Sequence, residues 1–173
     1  MSIIDQATGL TKEAFATTDK TEKHSMKVFS ILKNRFQVKD EEILAAGITH
    51  DILEDTNVTI EELEMKTSKR VADIVQEISH AKGATRLDKV EFYRRLPTVS
   101  NDAKLVKLAD YLANLEWNIE VIKNHALDKH PFLKDPTDYI NALKVFLDSC
   151  REIHPEATTL VTEVMEEVEG LSR

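Results

Sequence analysis

One cysteine, four glycines and four prolines are all that 173 residues supply, and each scarcity excludes something. With Cys150 alone, no intrachain disulfide forms and a cysteine-built zinc site has no basis. A single unpaired thiol fits a reducing compartment. So few glycines and prolines argue against a turn-rich β-sandwich and fit long helices joined by short loops. No run approaches the ~18 consecutive apolar residues of a membrane span. Met1 to Leu10 lacks the basic start and long apolar stretch of a secretory signal. The expectation is a cytosolic protein without a membrane partner. A net charge of −8 offers no basic surface to nucleic acid. A small anionic substrate remains compatible if positive charge is gathered locally or supplied by a metal.

The composition, 42% hydrophobic and 31% charged, is that of a folded globular domain. The length fits one domain over residues 1–173. Helical periodicity recurs along almost the whole chain, and no alternating strand pattern competes with it. The spacing predicts an all-α bundle. Ile3, Ile4, Ala7 and Leu10 start a first helix that runs to about Ala16. Asp19 or Thr21 is placed to cap a second, carrying Val28, Ile31, Leu32 and Phe36. Asp40, followed by Glu41 and Glu42, is a natural N-cap for a third that continues through His50-Asp51 to Asp55. Thr59 with Glu62 forms a capping box for a short helix, and Ser68 starts another through Ile78. His80 to Asp88 reads as a loop, followed by a helix from Asp88 to Leu96 ended by Pro97. Asn101 or Asp102 caps a long helix through Ile119. Pro131 and Pro136 bound a loop, Thr137 caps a helix to about Ile153, and Pro155 opens the last.

The chemistry concentrates in two segments. His50-Asp51-Ile52-Leu53-Glu54-Asp55-Thr56 follows the apolar stretch Ile43 to Ile48, so it carries ionisable groups toward the interior. Buried charges need partners or a metal. An imidazole beside a carboxylate suits a divalent transition metal. Adjacent helical side chains diverge by about 100°, so both reach one ion only at a helix end or between packed helices. Glu54 and Asp55, three and four residues beyond Asp51, can edge the same cavity. By itself this pair is also compatible with a solvated acidic helix end. In the second segment, Leu105, Leu108, Leu112 and Leu115 form an apolar stripe flanked by Asp110 and Asn114. Alone it reads equally as an ordinary amphipathic helix. Lys104 and Lys107, with Lys82, Arg86, Lys89, Arg94 and Arg95, form the clearest basic concentration, a place for phosphate or a plain solvated face. Lys20, Lys23 and Lys27 lie beside His24.

Taken in order over His24 to Leu115, these segments resemble the HD-domain superfamily of metal-dependent phosphohydrolases. Ile48-Thr49-His50-Asp51-Ile52-Leu53-Glu54-Asp55-Thr56 and Ala103-Lys-Leu-Val-Lys-Leu-Ala-Asp110 look most like the small RelA/SpoT-type alarmone hydrolases. The resemblance implies that His24, His50, Asp51 and Asp110 bind one divalent cation, commonly Mn²⁺. It implies that Glu54 and Asp55 position and deprotonate the attacking water. Asn114 would hold substrate, with Lys20, Lys23, Lys89 and Arg94 as the cations for its phosphates. The expected activity is hydrolysis of the 3′-pyrophosphate of guanosine 3′,5′-bis(diphosphate). The alternatives are phosphatase action on a nucleoside monophosphate or on the 2′-phosphate of NADPH, and a non-catalytic nucleotide or metal sensor. The chain departs from these relatives on the substrate side. The segment before His24 is short, Ser25 follows it, and Tyr111 and Ala113 replace the usual Arg and His. Residues 116–173 carry no motif and read as bundle completion or the surface of a homo-oligomer.

Overall fold

A computed structural model describes residues 1–18, 21–124 and 137–171. Among the described residues there is no strand, and ten α-helices follow one another. α1 (Ile3–Phe15) is closed at its start by a capping box between Ser2 and Asp5. α2 (Lys23–Ser30) begins behind Glu22 without a side-chain cap, so Thr21 does not cap it. Asp19 and the loop between Pro131 and Pro136 lie outside the described residues. After Ser30 the helix widens into a π-turn, Ile31–Arg35. It ends at Gln37, whose φ of 56° reverses the backbone and lets the Val38 amide donate to the Leu32 carbonyl at 2.9 Å.

α3 (Glu41–Thr49) starts at Asp40, which accepts hydrogen bonds from the Glu42 and Ile43 amides, as its acidic first turn leads one to expect. The expected continuous third helix is in fact two. α3 stops at Thr49, His50 and Asp51 form the joint, and α4 (Ile52–Asp55) makes one further turn. α5 (Ile60–Lys66) is capped by Thr59, with no reciprocal bond from Glu62. α6 (Lys69–Ile78) is capped by Ser68. α7 (Arg86–Arg95) starts two residues before the expected Asp88, because Thr85 caps it and Asp88 closes the box as the third residue. Leu96–Thr98 form a 3₁₀ turn, and Ser100, not Asn101 or Asp102, caps the long α8 (Asn101–Lys123). α9 (Thr137–Cys150) stops three residues short of Ile153, and α10 (Pro155–Leu171) opens on its proline.

α3 is the centre of the bundle and packs on α1, α2, α6 and α8. Its residues 43–49 are all buried, which explains the unbroken apolar run there. α8 packs on α2, α3, α6 and α10, and its Leu108, Leu112 and Leu115 are inaccessible to solvent. α2, the α3–α4 joint and α8 therefore meet along one seam. The close approach of α2 and its π-turn to α3 depends on Gly47, where a Cβ would collide with Leu32 of the π-turn and touch Val28 of α2.

Candidate active site

His50 and Asp51 escape the divergence of neighbouring helical side chains because they sit at the end of α3, not within it. His50 is 2% exposed. Its Nδ1 donates to the Gly47 carbonyl at 2.9 Å, which fixes the ring and leaves Nε2 facing the acids. Asp51 Oδ2 lies 3.1 Å from that nitrogen and Asp110 Oδ1 3.7 Å from it. Neither is in hydrogen-bonding alignment, so His50 Nε2 is a buried polar atom without a hydrogen-bond partner.

His24 reaches the same point from the first turn of α2. Its Nε2 is 2.9 Å from Asp110 Oδ1 and 3.8 Å from Asp51 Oδ2. The two imidazoles meet edge to face, with centroids 5.1 Å apart. Asp110, on the inward face of α8, accepts at Oδ1 from His24 and from Asn114 Nδ2, the latter at 2.7 Å. Its Oδ2 meets Lys107 Nζ at 2.7 Å.

These contacts set the charges. Burial opposes ionisation of Asp110, but Lys107, His24 and His50 overcome it and hold the carboxyl well below its usual range. Burial likewise resists a charge on Asp51, and His50 outweighs it, so that carboxyl is also lowered. Burial disfavours the His50 imidazolium, yet Asp51 and Asp110 push its pKa up to about 9. Two ionised carboxylates and an unpartnered imidazole nitrogen thus converge at one place. His24, His50 and Asp51 each offer a ligand atom within 4.8 Å of the others. The donor set, mixed nitrogen and oxygen, fits a divalent metal. The orphaned Nε2 is the observation that asks for one: with Nδ1 donating to Gly47, a cation would displace the Nε2 proton that the two acids otherwise favour and take the lone pair it uncovers.

A cavity of 290 Å³ opens over this cluster. Of the residues expected at the site, it is lined by His24, Asp51, Glu54, Asp55, Lys89, Asp110 and Asn114, with His50 buried behind them. Lys23 is exposed and does not line it. Arg94 is also exposed, turned toward Glu91 on its own helix at 3.8 Å. Lys20 lies outside the described residues. The basic concentration read from the sequence is dispersed. Lys104 bonds the Ser149 carbonyl, Lys82 bonds Asn57, and Lys107 turns into the site.

Sequence reasoning missed His80, Phe92, Tyr93 and Asn118 as lining residues, and did not place Lys107 or Tyr111 in the site. Asn118 continues the four-residue spacing of Asp110 and Asn114, so that period was a usable signal. His80 lies in a loop, where no periodicity points. Its ring Nε2 is 2.8 Å from Glu54 Oε2, and its backbone amide donates to Glu54 Oε1 at 3.0 Å.

Residues 5–130 match the HD domain family. The chain is 38% identical over 93 residues to the guanosine-3′,5′-bis(diphosphate) 3′-pyrophosphohydrolase MESH1 of Xenopus tropicalis, covering 53% of this chain and 52% of that one. It is 36% identical over the same length to the Homo sapiens protein of that name, with the same coverage. The chain thus spans about half the length of the curated relatives it matches. Among solved structures, a metazoan orthologue of SpoT that hydrolyses ppGpp superposes with a TM-score of 0.77. The superposition covers 99% of this chain and 97% of that one, at 21% identity. A protein of Listeria monocytogenes EGD-e superposes with a TM-score of 0.67 at 19% identity, covering 88% and 99%.

Proposed function

This chain belongs to the HD domain family, and on that premise we propose that it is a metal-dependent nucleotide phosphohydrolase. The substrate we infer is guanosine 3′,5′-bis(diphosphate), cleaved at its 3′-pyrophosphate, the reaction that names the relatives in Xenopus tropicalis and Homo sapiens. The observation that carries this reading is the convergence of His24, His50, Asp51 and Asp110 beneath a cavity edged by Glu54 and Asp55. The four would hold one divalent cation, Mn²⁺ in this proposal. Such an ion supplies a lowered water pKa and neutralises phosphoryl charge.

The remaining work belongs to side chains. Glu54 and Asp55 both lie on the cavity wall, where the pair supplies a carboxylate to orient water and accept its proton. Asn114 is already oriented by donating to Asp110, so its amide oxygen is left to accept from a substrate hydroxyl. Lys89 lines the same cavity and gives a phosphate its counter-charge. Ligand pockets commonly hold about 300–1,000 Å³. At 290 Å³ this one takes the reacting phosphoryl group and the sugar, with the rest of a nucleotide extending past it.

That size also favours a second reading, the same chemistry on a smaller ester such as a nucleoside monophosphate. Lys23 and Arg94, which stand away from the cavity, add nothing that demands a second phosphate group. The test is purified protein with Mn²⁺ and a panel of nucleotides, scored separately for phosphate and pyrophosphate. Pyrophosphate release from the alarmone is expected. Phosphate release from a monophosphate alone transfers the assignment to the second reading. Tight nucleotide binding without turnover of any panel member rejects both and leaves a sensor.

A further inference from the structure

His80 stands outside the metal cluster yet closes around Glu54. Its Nδ1 lies 3.1 Å from the Ala81 carbonyl. A carbonyl only accepts, so Nδ1 carries hydrogen and donates. A neutral imidazole has one N–H, which leaves Nε2 bare. That bare nitrogen would face Glu54 Oε2 at 2.8 Å, and an ionised carboxylate has no hydrogen to give. The contact is attractive only when a proton lies between Nε2 and Oε2. The backbone amide of His80 on Oε1 fixes the carboxylate plane from its other side. Both side chains are mostly buried, 16% and 14% exposed, and both line the cavity. Phe92 packs perpendicular to the imidazole with centroids 5.7 Å apart, which keeps the ring from swinging out. Glu54 and Asp55 from α4, Lys89 and Tyr93 from α7, and Lys107 and Asp110 from α8 share the cavity with His80. The Glu54 hydrogen bond raises the His80 pKa above its ordinary value, against the effects of burial and Lys89.

We propose that Glu54 is the proton donor to the leaving oxygen, and that His80 is the positioning residue that holds Glu54 and resupplies its proton. This rests on the phosphohydrolase reading and divides the labour of the two carboxylates. A sugar oxygen leaves poorly as an alkoxide and departs readily as a hydroxyl. As the water oxygen bonds to phosphorus, the bond from phosphorus to the sugar oxygen breaks, and its electron pair goes to that oxygen. The one proton shared by His80 Nε2 and Glu54 Oε2 passes through Glu54 to the sugar oxygen, which leaves Glu54 ionised and His80 neutral with its hydrogen on Nδ1. The proton lost by water passes to Asp55 and returns to the pair through solvent after products leave. Charge and proton count balance over the cycle.

Two experiments on the full chain test this. The first needs no turnover: ring ¹⁵N shifts of His80 are followed against pH in metal-free wild type and in Glu54→Gln. Wild-type His80 should keep both ring nitrogens protonated above the ordinary pKa of about 6.5, and Glu54→Gln should bring it back toward that value. Identical titrations in the two proteins overturn the shared proton, whatever becomes of the hydrolase reading. The second compares His80→Asn and His80→Ala, loaded with Mn²⁺, on the nucleotide that wild type cleaves. Asparagine can still donate to Glu54 but carries no exchangeable reserve. Loss of general acid catalysis should lower kcat by about 10²–10³-fold in both variants, with KM and metal content little changed. Wild-type kcat should fall as pH rises and the pair loses its proton, and that limb should vanish in His80→Asn. The loss should shrink to a few-fold on a 4-nitrophenyl ester, whose leaving oxygen needs no proton. Full kcat in His80→Asn, or a wild-type high-pH limb that the variant keeps, overturns the donor role. Wild type that cleaves no nucleotide overturns the hydrolase reading and the donor role with it, while the ¹⁵N titration still decides the pair.

Discussion

Lys107 carries its charge at 8% exposure, with its ammonium 2.7 Å from Asp110 Oδ2 and near the rings of Phe92 and Tyr111. Burial would drive the proton off, but Asp110, Glu54 and Asp51 reverse that and raise the pKa above the ordinary lysine value. Removing one member of a buried pair strands the other. Lys107→Met should therefore cost about 3–5 kcal/mol in urea unfolding of the metal-free protein. A loss below about 1 kcal/mol would mean that water reaches Asp110 freely. Asp51 is the complementary case, because its side chain is partly exposed and, as a proposed ligand, would contribute more to metal binding than to the core. Wild type with Mn²⁺ at a hundred times its Kd should gain about 2.7 kcal/mol of stability. Asp51→Asn should lose that gain while its metal-free melting temperature changes little, as scanning calorimetry would show. Cys150 is fully buried, and burial pushes its thiol up to about 11, against its contact with Ser149 and the charge of Lys104. Thiolate is the reactive form, so disulfide reagents at pH 8 should leave native Cys150 unmodified and titrate one thiol after denaturation. At this scale the members of the His24, His50, Asp51 and Asp110 cluster were legible as residue types in order, whereas His80 was not. A histidine in a loop acquires its partner only when the loop folds back over Glu54.

Among elements, the junction of α2 with α3 decides the site. Gly47 serves it twice: it admits Leu32, and its carbonyl orients His50. Gly47→Ala would gain up to about 1 kcal/mol of helix propensity. Against that, the new methyl meets Leu32 Cδ1, and Leu32 is fully buried with no solvent to turn into. Overpacking of this kind costs about 1–3 kcal/mol, so the net effect should be destabilising. A lower urea midpoint with an unchanged slope, together with weaker Mn²⁺ binding, is the expected result. A rise in the midpoint would show that the π-turn carrying Leu32 shifts at no cost. Helix existence was readable from periodicity, and Asp40, Thr59 and Ser68 were correctly read as N-caps. The starts of α7 and α8 moved by one or two residues because several capping residues stand side by side there. Which of Thr85 and Asp88, or Ser100 and Asn101, turns its oxygen to the helix depends on the incoming chain. The break after Thr49 was not legible, since Ile52 to Asp55 keep good helical spacing across it.

The molecule as a whole is tied together near the helix starts by Arg70. Its guanidinium bonds Asp40 at 2.8 Å, Glu42 at 3.0 Å and Asp102 at 2.7 Å, linking the beginnings of α3, α6 and α8. Ser68 and Arg70 lower the Glu42 carboxyl, and at Asp40 Arg70 and two backbone amides outweigh the opposing effect of burial. Carboxyls depressed by folding stabilise the protein above their unfolded pKa values, and that contribution fades as pH falls through their folded ones. These groups are about 40% exposed, so solvent screens the network and about 1 kcal/mol is a fair size for it. Arg70→Met should lower the melting temperature by a few degrees at pH 7 and by much less at pH 3. An equal loss at both values would assign Arg70 a packing role instead. No helix among the described residues is long and apolar enough to cross a membrane, in keeping with the short apolar runs of the sequence.

The sequence by itself determined that the chain is helical, which histidines and acids could meet, and in which order they occur. Those follow from side-chain chemistry and period, which are local. Only the tertiary structure decided that His24, His50, Asp51 and Asp110 share one point, that Lys107 is inside and Lys23 and Arg94 are outside, and that His80 grips Glu54. Each of those facts depends on how α2, the α3–α4 joint, the loop before α7, and α8 cross. That crossing is set by packing at Gly47, whose partners Leu32 and Val28 lie well back in the chain, and by the buried leucines of α8, which follow far beyond it. Local pattern carries no record of such distances.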